Sequence, residues 1–164
     1  MALKILNADI TTLKVDAIVN AANTNLLAGG GVCGAIFRAA GYRELQAACD
    51  KLAPIKTGAA VITPGFNLPA KFIIHTAGPI WQGGHSGEEN LLRNCYTNSL
   101  QLATEKNLKS VAFPLISSGI YGYPPLDALK VTIQAIKNFL SKKDLEITLA
   151  LFDKSLLDNA TKFF

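Results

Sequence analysis

Five short apolar runs, most of them followed by a longer stretch of helical periodicity, constrain this chain more than any other feature. They are "DAIVNAA" (Asp16 to Ala22), "GAAVIT" (Gly58 to Thr63), "KFIIHTA" (Lys71 to Ala77), "SVAFPLI" (Ser110 to Ile116) and "EITLALF" (Glu146 to Phe152). Runs of this length, rich in β-branched residues and bounded by turn residues, read as buried strands. Residues Lys4 to Ala8 are a weaker candidate for an edge strand. Helical patterns run from Gly34 to about Leu52, with a break at Gly41-Tyr42, from Glu88 to Lys106, and from Pro125 onward. Pro125 suits a first helical turn, and Leu126, Leu129, Ile133, Ile136 and Leu140 follow at +3 and +4 spacing as one buried stripe. A short final helix is expected over Ser155 to Phe164. Strands alternating with helices mean an α/β fold, in which ligands sit at the carboxyl ends of the strands.

The chain has 164 residues, enough for one domain with a sizeable core and too few for two ordinary ones, so a single domain over 1–164 is expected. Hydrophobic residues make up 49% and charged residues 17%, which excludes an intrinsically disordered chain. No apolar run reaches the roughly 20 residues that span a bilayer, so no membrane association is expected. The start lacks the order of a signal peptide. Cys33, Cys49 and Cys95 are odd in number, widely spaced and free of any C-x-x-C pair. This argues against a zinc cage or disulfide framework and for a reducing, cytoplasmic interior. The net charge of +4 and a pI near 9.0 favour anionic partners, nucleic acid among them. Lys142-Lys143 is the only basic pair, however, which is weak support for a nucleic-acid face.

Two strand-to-helix connections carry the chemistry. In the first, "IVNAAN" is followed by "LLAGGGVCGAIF", and a helix opens at Gly34. Glycine amides aimed from a helix N-terminus form an anion site. Gly29, Gly31 and Gly34 match G-x-G-x-x-G formally, but the glycines come too late after the strand for a dinucleotide fingerprint, and no P-loop motif occurs. The second connection, "PLISSGIYGYPP" (Pro114 to Pro125), also leaves a strand and enters a helix. Two such loops suit a diphosphate gripped from both sides, with Tyr121 and Tyr123 against a sugar. Asp9 suits an adenine amino group or a turn cap. Asn20 and Asn23, around two alanines, suit ribose hydroxyls or a turn. His75, inside an apolar strand, reads as a core histidine.

Taken together, "NADITTLKVDAIVNAANTNLLAGGGVCGAIFRAAG", "FIIHTAGPIW" and "FPLISSGIYGYPPLDA" resemble the macrodomain family, modules that bind ADP-ribose. The resemblance covers Asp9 to about Phe152 and points to the branch that hydrolyses ADP-ribose esters, including O-acetyl-ADP-ribose and ADP-ribosylated protein carboxylates. It implies a three-layer α/β/α sandwich around a mixed, mostly parallel sheet. It implies ADP-ribose, or an ADP-ribosylated small molecule or protein, as partner, with no cofactor and no metal. Asp9, with Ile10 beside it, would read adenine, and Phe152 would flank the ring. Asn20 and Asn23 fall in the N-A-A-N motif, with Asn23 facing the distal ribose. Gly29, Gly30, Gly31, Val32 and Gly34 would form the first phosphate loop. Ser117, Ser118, Gly119, Ile120, Tyr121 and Gly122 would form the second, with Tyr123 nearby.

The hydrolytic branch usually reads G-G-G-G-V-D-G-A-I-H. Here Ala28 replaces the first glycine, Cys33 the aspartate and Phe37 the histidine. In the family that aspartate orients the attacking water, together with the substrate's own phosphate. A thiol of ordinary pKa, about 8.5, is mostly neutral at pH 7 and a poor acceptor. Three readings of Cys33 follow: an inert residue in a site that only binds, a site where Asn23 and the substrate's phosphate sustain slow hydrolysis, or a thiolate nucleophile, for which no base partner is evident.

Overall fold

In the computed structural model, which describes residues 3–163, six strands form one sheet. They are Leu3–Asn7 (β1), Ala17–Ala22 (β2), Ala60–Pro64 (β3), Phe72–Ala77 (β4), Ser110–Phe113 (β5) and Glu146–Leu151 (β6). Their order is β1-β6-β5-β2-β4-β3. All neighbours run parallel except β3 against β4. The edge candidate at Lys4 to Ala8 is thus β1, which does lie at an edge. Five α-helices flank the sheet: Gly31–Ala40 (α1), Tyr42–Asp50 (α2), Glu88–Glu105 (α3), Pro125–Leu140 (α4) and Lys154–Ala160 (α5).

Strand residues alternate between two cores, as the two-residue period of a strand requires. Ala17, Val19, Ile74, Val111, Phe113, Ile147 and Leu149 pack against α3 and α4. Ile18, Ala22, Ile73, Ala112 and Ala150 face α1 and α2. The result is the expected three-layer α/β/α sandwich around a mixed, mostly parallel sheet. Three of the residues on the α1 face are alanines, which lets α1 lie close to the sheet. The chain after β2 goes on to β3 and β4 on one side, whereas β5 lies on the other, so the strand order reverses beside β2. That switch point opens a crevice at the carboxyl ends of the strands.

Element boundaries differ from the sequence reading by three residues or more in three places. Helix α1 starts at Gly31 rather than Gly34, because the Gly34 amide already bonds back to the Gly30 carbonyl (3.2 Å). Strand β5 ends at Phe113, before Pro114, whose nitrogen offers no donor to the ladder. The last helix covers only Lys154–Ala160, with a 3₁₀ turn over Thr161–Phe163; Phe164 lies outside the described residues. The expected break is present: Gly41, at φ +112, separates α1 from α2. Such a conformation favours glycine.

Polar groups fix the register at both ends of the sheet. Asp16 accepts the Lys109 amide (2.7 Å), donates its own amide to Ser110 Oγ (2.8 Å) and gives its carbonyl to the Phe72 amide (2.9 Å). One residue thereby ties the starts of β2, β4 and β5. At the other end the buried Tyr96 hydroxyl donates to the Pro114 carbonyl (3.2 Å) and accepts the Ile116 amide (3.0 Å). Asn20 and His75 are register partners on β2 and β4, and Asn20 Nδ2 lies 3.1 Å from His75 Nδ1. His75 Nε2 is 2.9 Å from Thr63 Oγ1. His75 is fully buried, and burial pushes its pKa down to about 4.

Two outcomes follow for stability. Tyr96→Phe strands the buried Ile116 amide without its acceptor, which costs about 1–3 kcal/mol; urea unfolding should show a lower midpoint at unchanged slope. His75 is neutral in the fold but binds a proton in the unfolded chain below its ordinary pKa of 6.5. Its contribution is therefore full above pH 6.5 and is lost as pH falls towards about 4, with stability dropping by up to about 1.4 kcal/mol per pH unit. Urea midpoints between pH 7 and 5 should fall accordingly in the parent and stay flatter in His75→Gln.

Candidate functional site

The first glycine loop, residues 23–30, is held in shape by side chains on three sides. The Asn23 amide closes a ring on the Leu27 backbone, accepting its amide (2.9 Å) and donating to its carbonyl (2.8 Å). Gln46 on α2 accepts the Ala28 amide (3.0 Å) and donates to the Leu26 carbonyl (3.0 Å). The Cys33 thiol reaches the Leu27 carbonyl at 3.8 Å. Leu26, at φ +54, is buried and anchors the loop in the α1–α2 core.

Gly34 closes the arrangement from below. A Cβ there would run into the Gly29 carbonyl oxygen, and Arg38 Nη1 would stand 3.1 Å away. Because the Gly34 amide is the first in α1 to find a helix carbonyl, the amides of Gly31, Val32 and Cys33 have no partner inside the helix. They present the positive end of α1 to the crevice.

The second loop leaves β5 and is fastened from beneath by Tyr96, as above. Ser118 Oγ donates to the Leu115 carbonyl (3.0 Å), the Gly122 amide to Gly119 (3.0 Å) and the Tyr123 amide to Ser117 (3.0 Å). Ser117 adopts φ +68, unusual for a residue with a side chain, and its buried Oγ has no hydrogen-bond partner. Gly78, just past β4, leaves space for it: a Cβ at 78 would collide with Ser117 Oγ.

Between the loops lies a cleft of about 410 Å³, within the size range of small-molecule sites. Among the sequence-predicted residues it is lined by Asn23, Gly29, Gly30, Gly31, Val32, Cys33, Ser117, Ser118, Gly119, Ile120, Tyr121 and Phe152. Ile120 is 85% exposed, and a Cβ on Gly30 would lie 3.5 Å from its Cδ1, so the two loops meet across the cleft. Phe152, 64% exposed, forms one end of the cleft. No lysine or arginine is among the described residues lining it.

Other predicted residues are placed otherwise. Gly34 is buried beneath the loop and does not line the cleft, since its space is filled by the Gly29 carbonyl. Gly122, at φ +76, makes the turn of the second loop. Tyr123 is buried and packs, tilted by 54°, against Trp81 at 4.6 Å between ring centroids, facing away from the cleft into a second cavity. Asn20 lies under α1, with Nδ2 3.7 Å from Cys33 Sγ. Asp9 caps the 3₁₀ turn Ile10–Thr12, accepting the Thr11 amide (3.0 Å) and hydroxyl (2.7 Å), and Ile10 is buried in the α1–α2 core.

Sequence reasoning missed several residues. Asn7 Nδ2 donates to the carbonyls of Leu151 and Phe152 (both 2.8 Å) and so fixes the backbone that carries Phe152. Asp153 and Leu156 extend the cleft past Phe152. Asp153 caps α5 through the Ser155 amide (2.8 Å) and hydroxyl (2.7 Å), bonds that hold its carboxyl below the usual range. The Asp-x-Ser spacing directly after a strand was the available signal. Gln46 gave none, because its loop partners lie about eighteen residues upstream.

Cys33 stands at the third position of α1 and is 6% exposed. Burial pushes the thiol's pKa up, against the opposing hydrogen bonds from Gly29 and Asn20. It is neutral at pH 7 and bonded at both ends, to Asn20 and to the Leu27 carbonyl.

The macro domain family model matches residues 19–132. A macro domain-containing protein of Chlorobaculum tepidum is 56% identical over 136 residues, 83% of this chain and 78% of that protein. The O-acetyl-ADP-ribose deacetylase of Escherichia fergusonii is 48% identical over 145 residues, 86% of this chain and 81% of that protein. The macrodomain of Oceanobacillus iheyensis, solved with ADP, matches with a TM-score of 0.94 at 43% identity, over 98% of this chain and 88% of that one. With the sheet order, the two glycine loops and these similarities in agreement, the chain belongs to the macro domain family.

Proposed function

We propose that the cleft binds ADP-ribose and ADP-ribosyl compounds, and that the chain hydrolyses ADP-ribosyl esters slowly or not at all. The observation that carries the binding half is the disposition of the backbone around the cleft. Two glycine-bearing loops and the start of α1 face each other across a cleft with no basic side chain in its lining. A diphosphate there is met by amides and the helix dipole. Phe152 supplies an exposed ring for a base at one end. A relative named as an O-acetyl-ADP-ribose deacetylase and a neighbour solved with ADP support the same ligand class.

Cys33 carries the catalytic half. At the third position of α1 a carboxylate would sit in the field of the helix N-terminus and reach back towards the Gly30 amide. The neutral thiol offers water no comparable acceptor. The Asn23 amide is also committed, to Leu27. For Asn23 to meet a distal ribose, that ring must open or its remaining lone pair must serve. Phe37, 1% exposed and packed at 5.8 Å from Tyr42, leaves no titratable group at its position.

Calorimetry with ADP-ribose, followed by product analysis with O-acetyl-ADP-ribose, tests both halves. The parent should bind ADP-ribose saturably and deacetylate slowly or undetectably. Affinity should change little between low and high salt; a steep loss with salt, shared with RNA, would favour a phosphate-tracking nucleic-acid module instead. Gly30→Glu and Gly119→Glu should each abolish binding while the fold persists, since a charged side chain would occupy the phosphate path.

Cys33→Asp should gain activity, at most on the order of 10²–10⁴-fold as expected of a general base, and less if Phe37 limits the site. A fast parent with an inactive Cys33→Ser would make the thiol itself the catalyst and overturn this reading.

A further inference from the structure

Glu88, at the first position of α3, is 1% exposed. Its carboxylate is filled by backbone donors: the amides of Gln82 (2.8 Å) and Gly84 (3.0 Å) on Oε2 and that of Ser86 (2.6 Å) on Oε1. These bonds, Gln82 foremost, hold its pKa down to about 2, so it stays ionised at any working pH. An acidic residue in a first turn is favourable on its own account. The Gln82 and Gly84 amides, however, belong to the preceding loop, and starting a helix does not call for them.

That loop, residues 81–87, braces the second glycine loop. The Trp81 amide donates to the Tyr121 carbonyl at 2.8 Å, and Tyr121 lines the cleft. The next amide, Gln82, is the one held by Glu88. The Trp81 indole lies between Tyr123, 4.6 Å away, and Gly84. A Cβ on Gly84 would stand 3.0 Å from the indole, and φ +91 already favours glycine there. Consecutive amides thus connect a buried anion to the cleft wall.

We propose that Glu88 is a positioning residue of the ligand cleft: its carboxylate fixes the 81–87 loop so that Trp81 holds the second glycine loop at Tyr121. The proposal rests on the ADP-ribose reading and adds a residue that touches no ligand itself. Glu88→Gln leaves one acceptor oxygen and turns an NH₂ against a backbone amide, so at least one of the three bonds is lost.

Trp81 is the only tryptophan in the chain, so its fluorescence reports the brace directly. Without ligand, Glu88→Gln should shift Trp81 emission to longer wavelength. By calorimetry it should weaken ADP-ribose on the order of tenfold, the scale of a lost charge-assisted hydrogen bond, and leave AMP, placed at the Phe152 end, unchanged.

A purely structural role for Glu88 would lower the melting temperature and either spare both ligands or weaken both alike. Unchanged emission, unchanged ADP-ribose affinity, or equal weakening of both ligands overturns the proposal. If Glu88→Gln does not fold, Gly84→Ala, which presses on the indole, should show the same selective loss; equal or absent loss there overturns it too. A parent that binds no ADP-ribose contradicts the functional reading and this proposal with it, whereas a binding parent with an unaffected Glu88→Gln contradicts this proposal alone.

Discussion

The close approach of the first glycine loop to the start of α1 is the contact on which the rest of the site depends. The Gly29 carbonyl fills the space where any side chain at position 34 would stand. That contact lets the loop fold back over the helix, and Gly31, Val32 and Cys33, whose amides have no partner inside the helix, line the cleft. The sheet makes room for it with Ala22, Ala112 and Ala150 on the α1 face. Ala22 and Ala150 also line the cleft, so their small side chains leave it open. The proposed anion site is thus a property of packing: amides are present in every helix, but few are brought opposite a second set across a cleft.

The second set is held by a different device. Tyr96 and the Trp81 brace fix the loop after β5 from the α3–α4 side, while the first loop is fixed from the α1–α2 side by Gln46, Leu26 and Cys33. Each half of the cleft therefore belongs to one of the two cores, and the sheet between them sets their separation. Cys33 has become part of the first support. It links Asn20 on β2 to the Leu27 carbonyl, a donor role that a carboxylate cannot take. Replacing it with aspartate therefore changes how the loop is held.

Much of this was legible in the sequence. The strands and the α1–α2 break at Gly41 followed from short apolar runs and one glycine, because burial and backbone sterics act locally there. The two loops were legible because strand-to-helix glycines have few other uses. What was hidden depended on long-range contact. Gly34 read as a phosphate glycine although it serves the fold, since the Gly29 carbonyl that needs its space is visible only in three dimensions. Tyr123 read as a ligand neighbour although it is packed on Trp81, because a tyrosine in a glycine loop carries no sign of which way it turns. Gln46, Asn7 and Glu88 do their work on backbone groups, and backbone partners leave no trace in side-chain pattern.

In the proposed function, backbone amides of the two loops, and not basic side chains, receive the ligand. Titrating the isotopically labelled protein with ADP-ribose and following every amide by NMR decides whether they do. Saturable shifts should concentrate at residues 29–34 and 117–122, with smaller ones near Phe152. Shifts that never saturate, or that fall on surface lysines such as Lys142 and Lys143 while the two loops stay unmoved, would contradict it.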